Sequence, residues 1–151
     1  MGKPSFEAPN IPIFQKNGTS ITVNGREYRY FPVSMGNPHC VIFVGEIIHE
    51  HVLSDGPILE QNLAFPEKTN VQFAHVTNED NILAEIWERG AGYTLASGSS
   101  ACAVFAVARK LNKCSKSIAV KMPGGTLRLS ENPDKTITQS GPVTKIADCF
   151  V

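Results

Sequence analysis

Most of this chain alternates apolar and polar residues at every second position, the pattern of β-strands with one buried face. Asn24-Gly25 lies between two such runs in residues 21–31 and predicts a hairpin, because this pair accommodates the positive φ angles of a type I′ turn. The continuous apolar run at 41–44 predicts a strand buried on both faces. Further strands are predicted at 71–76, 82–88, 118–122, 126–129, 136–139 and 143–149.

A first helix is predicted to begin at Ser54 or Asp55, two residues that cap helices well, with Pro57 near its first turn. It would end before Pro66, because proline interrupts the helical hydrogen bonds. An apolar stripe on one side is typical of a helix on a protein surface. The apolar positions of this helix are Ile58, Leu59 and Leu63.

A second helix is predicted from about Ser99 to Leu111, and it has no polar face over residues 101–108. In a protein that dissolves in water, a helix that is apolar all round is enclosed by other elements. A central apolar helix surrounded by many short strands predicts an α+β fold, a strand barrel or roll wrapped around that helix.

Composition and charge exclude several classes of protein. The 151 residues are enough for one domain, and 14 Lys and Arg residues balance 14 Asp and Glu residues. Since nucleic-acid binding normally needs an excess of basic residues, we expect no nucleic-acid partner. The sequence contains neither an apolar stretch of about 18 residues, as a membrane span requires, nor a signal segment at its start. We therefore expect a cytoplasmic protein with no membrane partner.

The cysteines and histidines have no spacing typical of metal ligands or of a disulfide framework, so we expect neither feature. Instead, we expect reduced and mostly buried cysteines, which behave as small apolar residues. The four cysteines are Cys40, Cys102, Cys114 and Cys149, and the histidines without metal-ligand spacing are His49, His51 and His75.

Chemically active residues concentrate between the strand that ends at Glu88 and the apolar helix. Arg89 follows that strand directly, and two glycines form a tight loop after it. Unpaired N–H groups and a partial positive charge at the helix N-terminus make Gly98, Ser99 and Ser100 suited to bind a carboxylate or phosphate. The alternative is that Ser97 or Ser99 only caps the helix.

A second polar group precedes the buried strand at 41–44. Asn37 and His39 bring an amide and an imidazole to one loop, where they could hold polar groups of a ligand. Asn70, just before the strand at 71–76, is a third candidate. Taken alone, each of these residues is better explained by an ordinary turn or loop.

Together, and in this order, the motifs resemble those of the diaminopimelate epimerases. The resemblance rests on Gly36-Asn37-Pro38-His39 and on Glu88-Arg89-Gly90-Ala91-Gly92 followed by Thr94, Ala96, Gly98 and Ser99. It extends through Met1-Gly2, Pro4, Phe6, Phe65-Pro66, Asn70-Val71, Met122-Pro123-Gly124-Gly125 and Gly141-Pro142-Val143. Several separated motifs over nearly the whole chain make the match specific.

The resemblance implies a two-domain amino-acid epimerase of lysine biosynthesis that works without pyridoxal phosphate or another cofactor. Each domain is a strand barrel around a helix, and the substrate lies between the domains. A thiolate of one domain removes the α-proton, and a thiol of the other reprotonates the opposite face. Residues 1–151 are expected to form the C-terminal domain, with the N-terminal catalytic half absent. The implied partners are diaminopimelate and that N-terminal domain, and the resemblance also allows a second copy in a homodimer.

The resemblance also assigns roles to individual residues. Gly98 and Ser99 would bind the reacting α-carboxylate, where the helix N-terminus stabilises developing negative charge. His39 and Glu88 would lie near the reacting carbon as catalytic groups that set proton positions, and Glu88 would also bind substrate.

Three further residues would recognise the distal amino-acid end of diaminopimelate. These are Asn37, Asn70 and Arg89. Arg89 suits a carboxylate because its guanidinium can form a bidentate pair. Such residues would separate diaminopimelate from simpler amino acids.

Ser97 departs from the family pattern, since the family has its second catalytic cysteine at this position. An alcohol is a much weaker acid than a thiol at a helix N-terminus, so Ser97 cannot readily replace a thiolate base. An engineered inactive variant, a natural copy without activity and a relative with one-base chemistry all remain open. The alternative functions are a related racemase or isomerase for another amino acid, such as histidine or proline, and a degenerate ligand-binding domain without catalysis.

Overall fold

The computed structural model describes residues 1–145, which form one mixed sheet with a helix packed on each face. The strands are β1 (Thr19–Val23), β2 (Arg26–Ser34), β3 (Pro38–Phe43), β4 (Asn70–Asn78), β5 (Asn81–Glu88), β6 (Gly92–Thr94), β7 (Ser117–Met122), β8 (Gly125–Glu131) and β9 (Ile137–Ser140). The helices are α1 (His49–Glu60) and α2 (Gly98–Lys110).

The strand order in the sheet is β1-β2-β3-β4-β5-β7-β8-β9, and the short β6 pairs with β5. Neighbouring strands are antiparallel except for the parallel pairs β3–β4 and β5–β7. A parallel pair needs a long crossover connection, and these two connections contain α1 and α2, respectively. The register of β3 on β4 places His39 beside Asn70.

The sheet curls around α2, which contacts every strand except β1 and β6. Residues 101–108 are all buried and form the main core with inward side chains such as Val41, Ile86 and Leu129. Burial of Val104 or Phe105 contributes about 1.5–3 kcal/mol each. This arrangement confirms the predicted α+β fold with strands wrapped around a central apolar helix. Within the described residues β1 and β9 do not pair with each other. The N-terminal segment connects the two sides of the roll, through the Ser5–Ser34 bridge to β2 and a 3.3 Å hydrogen bond from Ile137 N of β9 to the Met1 carbonyl.

The predicted start of α1 is wrong, because the helix begins at His49, whereas its end at Glu60 lies before Pro66 as predicted. Ser54 and Asp55 therefore lie inside the helix and do not cap it, and Pro57 lies beyond the first turn.

The predicted apolar side of α1 is also wrong in part. Leu59 is 1% exposed, but Ile58 is 48% exposed and Leu63, beyond the helix end, is 97% exposed. Leu59 and Val52 instead join a second core on the outer face of the sheet.

The predicted strands between residues 21 and 139 agree with the structure apart from their ends. Two differences concern β6 and the C-terminus. β6 was not predicted, since three residues are too few to show a period. At the C-terminus, residues 143–145 form no strand, and the remainder of the strand predicted at 143–149 lies outside the described residues. The predicted turn of the first hairpin is confirmed, with φ of 50° at Asn24 and 75° at Gly25.

A buried carboxylate joins α1 to the β1–β2 hairpin. Asp55 is fully buried and accepts hydrogen bonds from Arg26 Nε at 2.7 Å, Asn24 Nδ2 at 2.8 Å, Ser54 Oγ at 2.9 Å and the Tyr28 hydroxyl. Burial alone would raise the pKa of Asp55, but these donors, Arg26 first, hold it well below its ordinary value. The polar residues that resembled a helix start in the sequence are thus part of a long-range cluster.

We predict that Asp55→Asn lowers the free energy of unfolding by about 3 kcal/mol, because Arg26 loses its counter-charge and Tyr28 loses a charged acceptor. Urea unfolding followed by circular dichroism measures this change. Asp80→Asn is the matched control, since Asp80 is exposed, and we expect a change within about 0.5 kcal/mol. Equal stability of the two variants would contradict the role of the Asp55 cluster.

Candidate active site

The N-terminus of α2 lies at the mouth of the roll and carries three of the predicted site residues. Ser97 is the N-cap, in extended backbone, and its Oγ accepts a hydrogen bond from Ser100 N at 3.4 Å. Gly98 and Ser99 contribute N–H groups to the first helical turn, where no intrahelical acceptor exists. Both residues are half-buried and so remain reachable by a small molecule. Ser97 is therefore a cap, and the capped end also provides N–H donors for an anion.

Gln139 of β9 covers one side of this first turn. A Cβ atom built on Gly98 would lie 3.0 Å from Gln139 Oε1, which is closer than side chains ordinarily approach. The same oxygen accepts a hydrogen bond from Cys102 Sγ at 3.4 Å. Gly98 thus lies where a larger residue would displace the Gln139 side chain. Sequence reasoning missed Gln139, because nothing local to β9 indicates contact with α2.

A chain of buried hydrogen bonds connects α2 to the loop before β3. Gln72 Nε2 lies 3.0 Å from Ser100 Oγ and 3.0 Å from His39 Nδ1, and His39 Nε2 lies 3.0 Å from Asn37 Oδ1. Gln72 and His39 are fully buried, and Ser100 is 1% exposed. Asn37 and His39 are therefore joined to Ser100 of the α2 N-terminus through Gln72, which was not predicted.

Burial lowers the pKa of His39 to about 4, and the positive charge of Arg89 acts in the same direction. The imidazole is therefore neutral at neutral pH. Both of its nitrogens contact protein groups, and none of its surface is exposed. The geometry favours a positioning role, and the expected catalytic role of His39 stays a prediction.

Asn70 joins the start of β3 to the loop after β5. Its Nδ2 donates to the Pro38 carbonyl at 3.0 Å, and its Oδ1 accepts from the backbone N–H of Arg89 at 3.0 Å. The Arg89 side chain is exposed and donates through Nη1 to the Glu67 carbonyl at 3.0 Å. The structure thus brings the start of β3, the start of β4 and the end of β5 together, as the predicted site requires.

The loop between β5 and β6 positions Glu88 and Arg89. Gly90 and Gly92 have φ of 75° and 82°, values that favour glycine. Glu60 of α1 holds this loop through its carboxylate, which accepts from Gly90 N at 3.0 Å and from Trp87 Nε1 at 2.8 Å. Sequence reasoning missed Glu60, which appears only as a polar residue at a helix end. Glu88 is half-buried beside this loop.

The remaining cysteines and histidines behave as ordinary structural residues in the described part of the chain. Cys40, Cys102 and Cys114 are buried, which raises the pKa of Cys102 and that of Cys114 to about 11 each. His49 contacts Glu85 at 2.7 Å. Within residues 1–145 no group of three His, Cys, Asp or Glu side chains could hold a metal ion, and Cys149 lies outside those residues. No helix there is long and apolar enough to cross a membrane.

Solved structures with the same fold include a hydroxyproline epimerase and a phenazine biosynthesis protein. A hydroxyproline epimerase from Agrobacterium vitis superposes with a TM-score of 0.50 at 15% identity, over 74% of this chain and 39% of that chain. A phenazine biosynthesis protein of the PhzF family from Enterococcus faecalis superposes with a TM-score of 0.55 at 14% identity, over 70% and 41%. At such low identity the likeness shows the fold alone, an epimerase-type α+β roll.

Sequence comparison defines the family more closely. The family model described as diaminopimelate epimerase matches residues 31–146. Relatives include diaminopimelate epimerase 2 of Nostoc sp., 43% identical over 97% of this chain and 53% of the relative. The diaminopimelate epimerase of Xanthomonas axonopodis pv. citri is 38% identical over 98% and 54%. The chain belongs to the diaminopimelate epimerase family, and it spans about half the length of the curated relatives it matches.

We predict that Ser97→Cys creates a thiol with a pKa below about 7.5, because the α2 N-terminus stabilises the thiolate. The rate of iodoacetamide labelling against pH measures this pKa. The unsubstituted protein supplies the background from Cys40, Cys102, Cys114 and Cys149. Labelling of the new thiol with an ordinary pKa of about 8.5 or above would contradict an electropositive site at Ser97.

Proposed function

We propose that this chain supplies one half of the active site of an epimerase that interconverts LL- and meso-diaminopimelate by α-proton transfer, without pyridoxal phosphate. A companion N-terminal domain would supply the opposing acid–base group. Family membership supports the reaction, and the half-length match to the relatives supports a second domain. A cytoplasmic location and a homodimer remain predictions.

The observation that carries this proposal is the accessible N-terminus of α2 at the meeting point of three strand ends. The substrate α-carboxylate would accept hydrogen bonds from the N–H groups of Gly98 and Ser99, close to Ser97. When the α-proton leaves, negative charge moves onto this carboxylate, so donors placed there lower the barrier to proton removal. The positive end of the α2 dipole acts in the same sense.

Ser97 determines how much of the reaction this chain can support. Inversion needs one group on each face of the α-carbon, because the proton returns to the face it did not leave. The Ser97 hydroxyl would occupy the place of the second thiol, and its contacts within residues 1–145 are long, 3.4 Å to Ser100 N and 3.5 Å to Ser99 Oγ. We therefore expect the chain to bind substrate and to exchange its α-proton very slowly.

The distal amino-acid end of diaminopimelate would lie toward Arg89, Asn70 and Asn37. Arg89 is exposed, and its guanidinium can pair with a carboxylate through two parallel hydrogen bonds. Asn70 holds the Arg89 backbone in place, so it orients this part of the site as well as lining it. Glu88 and His39 complete the proposed surroundings of the reacting carbon.

The second candidate function is a ligand-binding domain without catalysis, and Ser97 is the observation that favours it. Such a domain would keep the carboxylate site at α2 and the distal residues, but it would have no role in proton transfer. A racemase for histidine or proline in the same superfamily would instead lack selectivity for the distal end of diaminopimelate.

We predict that LL-diaminopimelate causes selective backbone amide NMR shifts at Gly98, Ser99, Asn37, Asn70 and Arg89 of this chain. Histidine and proline serve as control ligands, and we expect their effects to be confined to the α2 N-terminus. Equal or stronger shifts with histidine or proline would favour the related racemase. If Gly98 and Ser99 show no amide shift at a saturating concentration of diaminopimelate, the result would contradict a carboxylate site at the α2 N-terminus.

We predict that Ser97→Cys restores α-proton exchange when the chain is fused to the N-terminal half of the Nostoc relative. Exchange of the substrate α-proton with deuterated water, followed by NMR, measures the activity. The parent fusion and Ser97→Ala are the controls, and we expect at least a hundred-fold lower exchange in both, on the order of one missing general acid–base group. A folded Ser97→Cys fusion that binds substrate without exchange would favour the non-catalytic domain.

A further inference from the structure

Only one orientation of the Gln72 carboxamide gives both protons of its NH₂ group a hydrogen-bond acceptor. Gln72 is fully buried, and one of its terminal atoms lies 3.0 Å from both Ser100 Oγ and His39 Nδ1. The other terminal atom has no hydrogen-bond partner among the described residues. The two neighbours can both accept a hydrogen bond, and an amide NH₂ group has two protons to donate.

Reversing the amide would leave the NH₂ group in the position without a partner. Two unpaired protons would then be buried, whereas the observed arrangement leaves only one carbonyl oxygen unpaired. Buried donors without acceptors are rarer in proteins than carbonyl oxygens without donors. The nitrogen of Gln72 therefore faces Ser100 and His39.

This arrangement sets the tautomer of His39. Because Nδ1 accepts from Gln72, it carries no proton, and the single proton of the neutral ring lies on Nε2. Nε2 must then donate to Asn37 Oδ1, which lies 3.0 Å away. The low pKa that burial gives His39 agrees with one proton on the ring.

We infer that Gln72 is a positioning residue that fixes the orientation of the Asn37 amide, so that Asn37 presents its NH₂ group to the ligand. Asn37 Oδ1 is held by His39, and Nδ2 has no partner in residues 1–145. The inference rests on the proposed function for the ligand and deepens it. Asn37 would select the distal carboxylate of diaminopimelate over its distal ammonium, since an NH₂ group donates and an ammonium cannot accept.

The first test measures the imidazole nitrogen chemical shifts of His39 in the unliganded chain at neutral pH. We expect a protonated Nε2 and an unprotonated Nδ1. A proton on Nδ1 would overturn the inference, whatever the chain binds. This measurement needs no substitution and no ligand, so it is independent of the proposed function.

The second test compares binding of two analogues, 2-aminopimelate, which lacks the distal ammonium, and lysine, which lacks the distal carboxylate. We expect 2-aminopimelate to bind about ten-fold more tightly, the effect of one charge-assisted hydrogen bond. Gln72→Met keeps the side-chain length and removes the amide, so we expect it to reduce this preference at least about three-fold. Gln15→Met on the exposed surface is the matched control and should keep the preference.

The outcomes separate the two proposals. An unchanged preference in folded Gln72→Met would overturn the inference while the proposed function stands. If neither analogue nor diaminopimelate binds the parent chain but Nε2 carries the proton, the proposed function fails and the orientation of Asn37 is supported. If Gln72→Met does not fold, Ser100→Ala replaces it. In that variant Gln72 still donates to His39, so a His39 proton that moves to Nδ1 would overturn the inference.

Discussion

The burial of α2 over residues 101–108 is the constraint on which the rest of the structure depends. A helix without a polar face can exist in water only when other elements surround it, and here a curled sheet does so. Only the helix ends remain open, and the N-terminal end carries unpaired N–H groups and a partial positive charge. The fold thus exposes one end of a buried dipole at a fixed position. The candidate active site is the solvent-facing surface of that end.

The polar residues around this end are held by contacts between distant parts of the chain. The parallel β3–β4 pair sets His39 beside Asn70, and Asn70 in turn holds the backbone of Arg89. Gln72 joins the same strands to α2 through Ser100. The side chains of His39, Asn70, Gln72 and Ser100 are buried, so their hydrogen bonds are strong and the loss of one would leave unpaired partners. The site is therefore preorganised by groups that do not themselves touch solvent.

The sequence predicted the features that local patterns determine. Asn24-Gly25 defines a turn by its own backbone preferences, and the apolar run of α2 requires burial wherever it lies. The start of α1 was predicted wrongly because Asp55 is polar for a different reason, its pairing with a distant hairpin. Gln72 and Gln139 were not predicted, because only the folded sheet brings them to α2. Resemblance to a family assigned ligand-binding roles to residues such as Gly98 and Arg89, but it did not indicate Gln72 or Gln139.

A structure of the chain with LL-diaminopimelate bound would test the central claim most directly. The account predicts one carboxylate of the ligand within hydrogen-bond distance, about 2.7–3.2 Å, of the backbone nitrogens of Gly98 and Ser99. It also predicts the adjacent α-carbon next to Ser97 Oγ. An ammonium group at the α2 N-terminus, or a ligand bound only elsewhere on the chain, would contradict it.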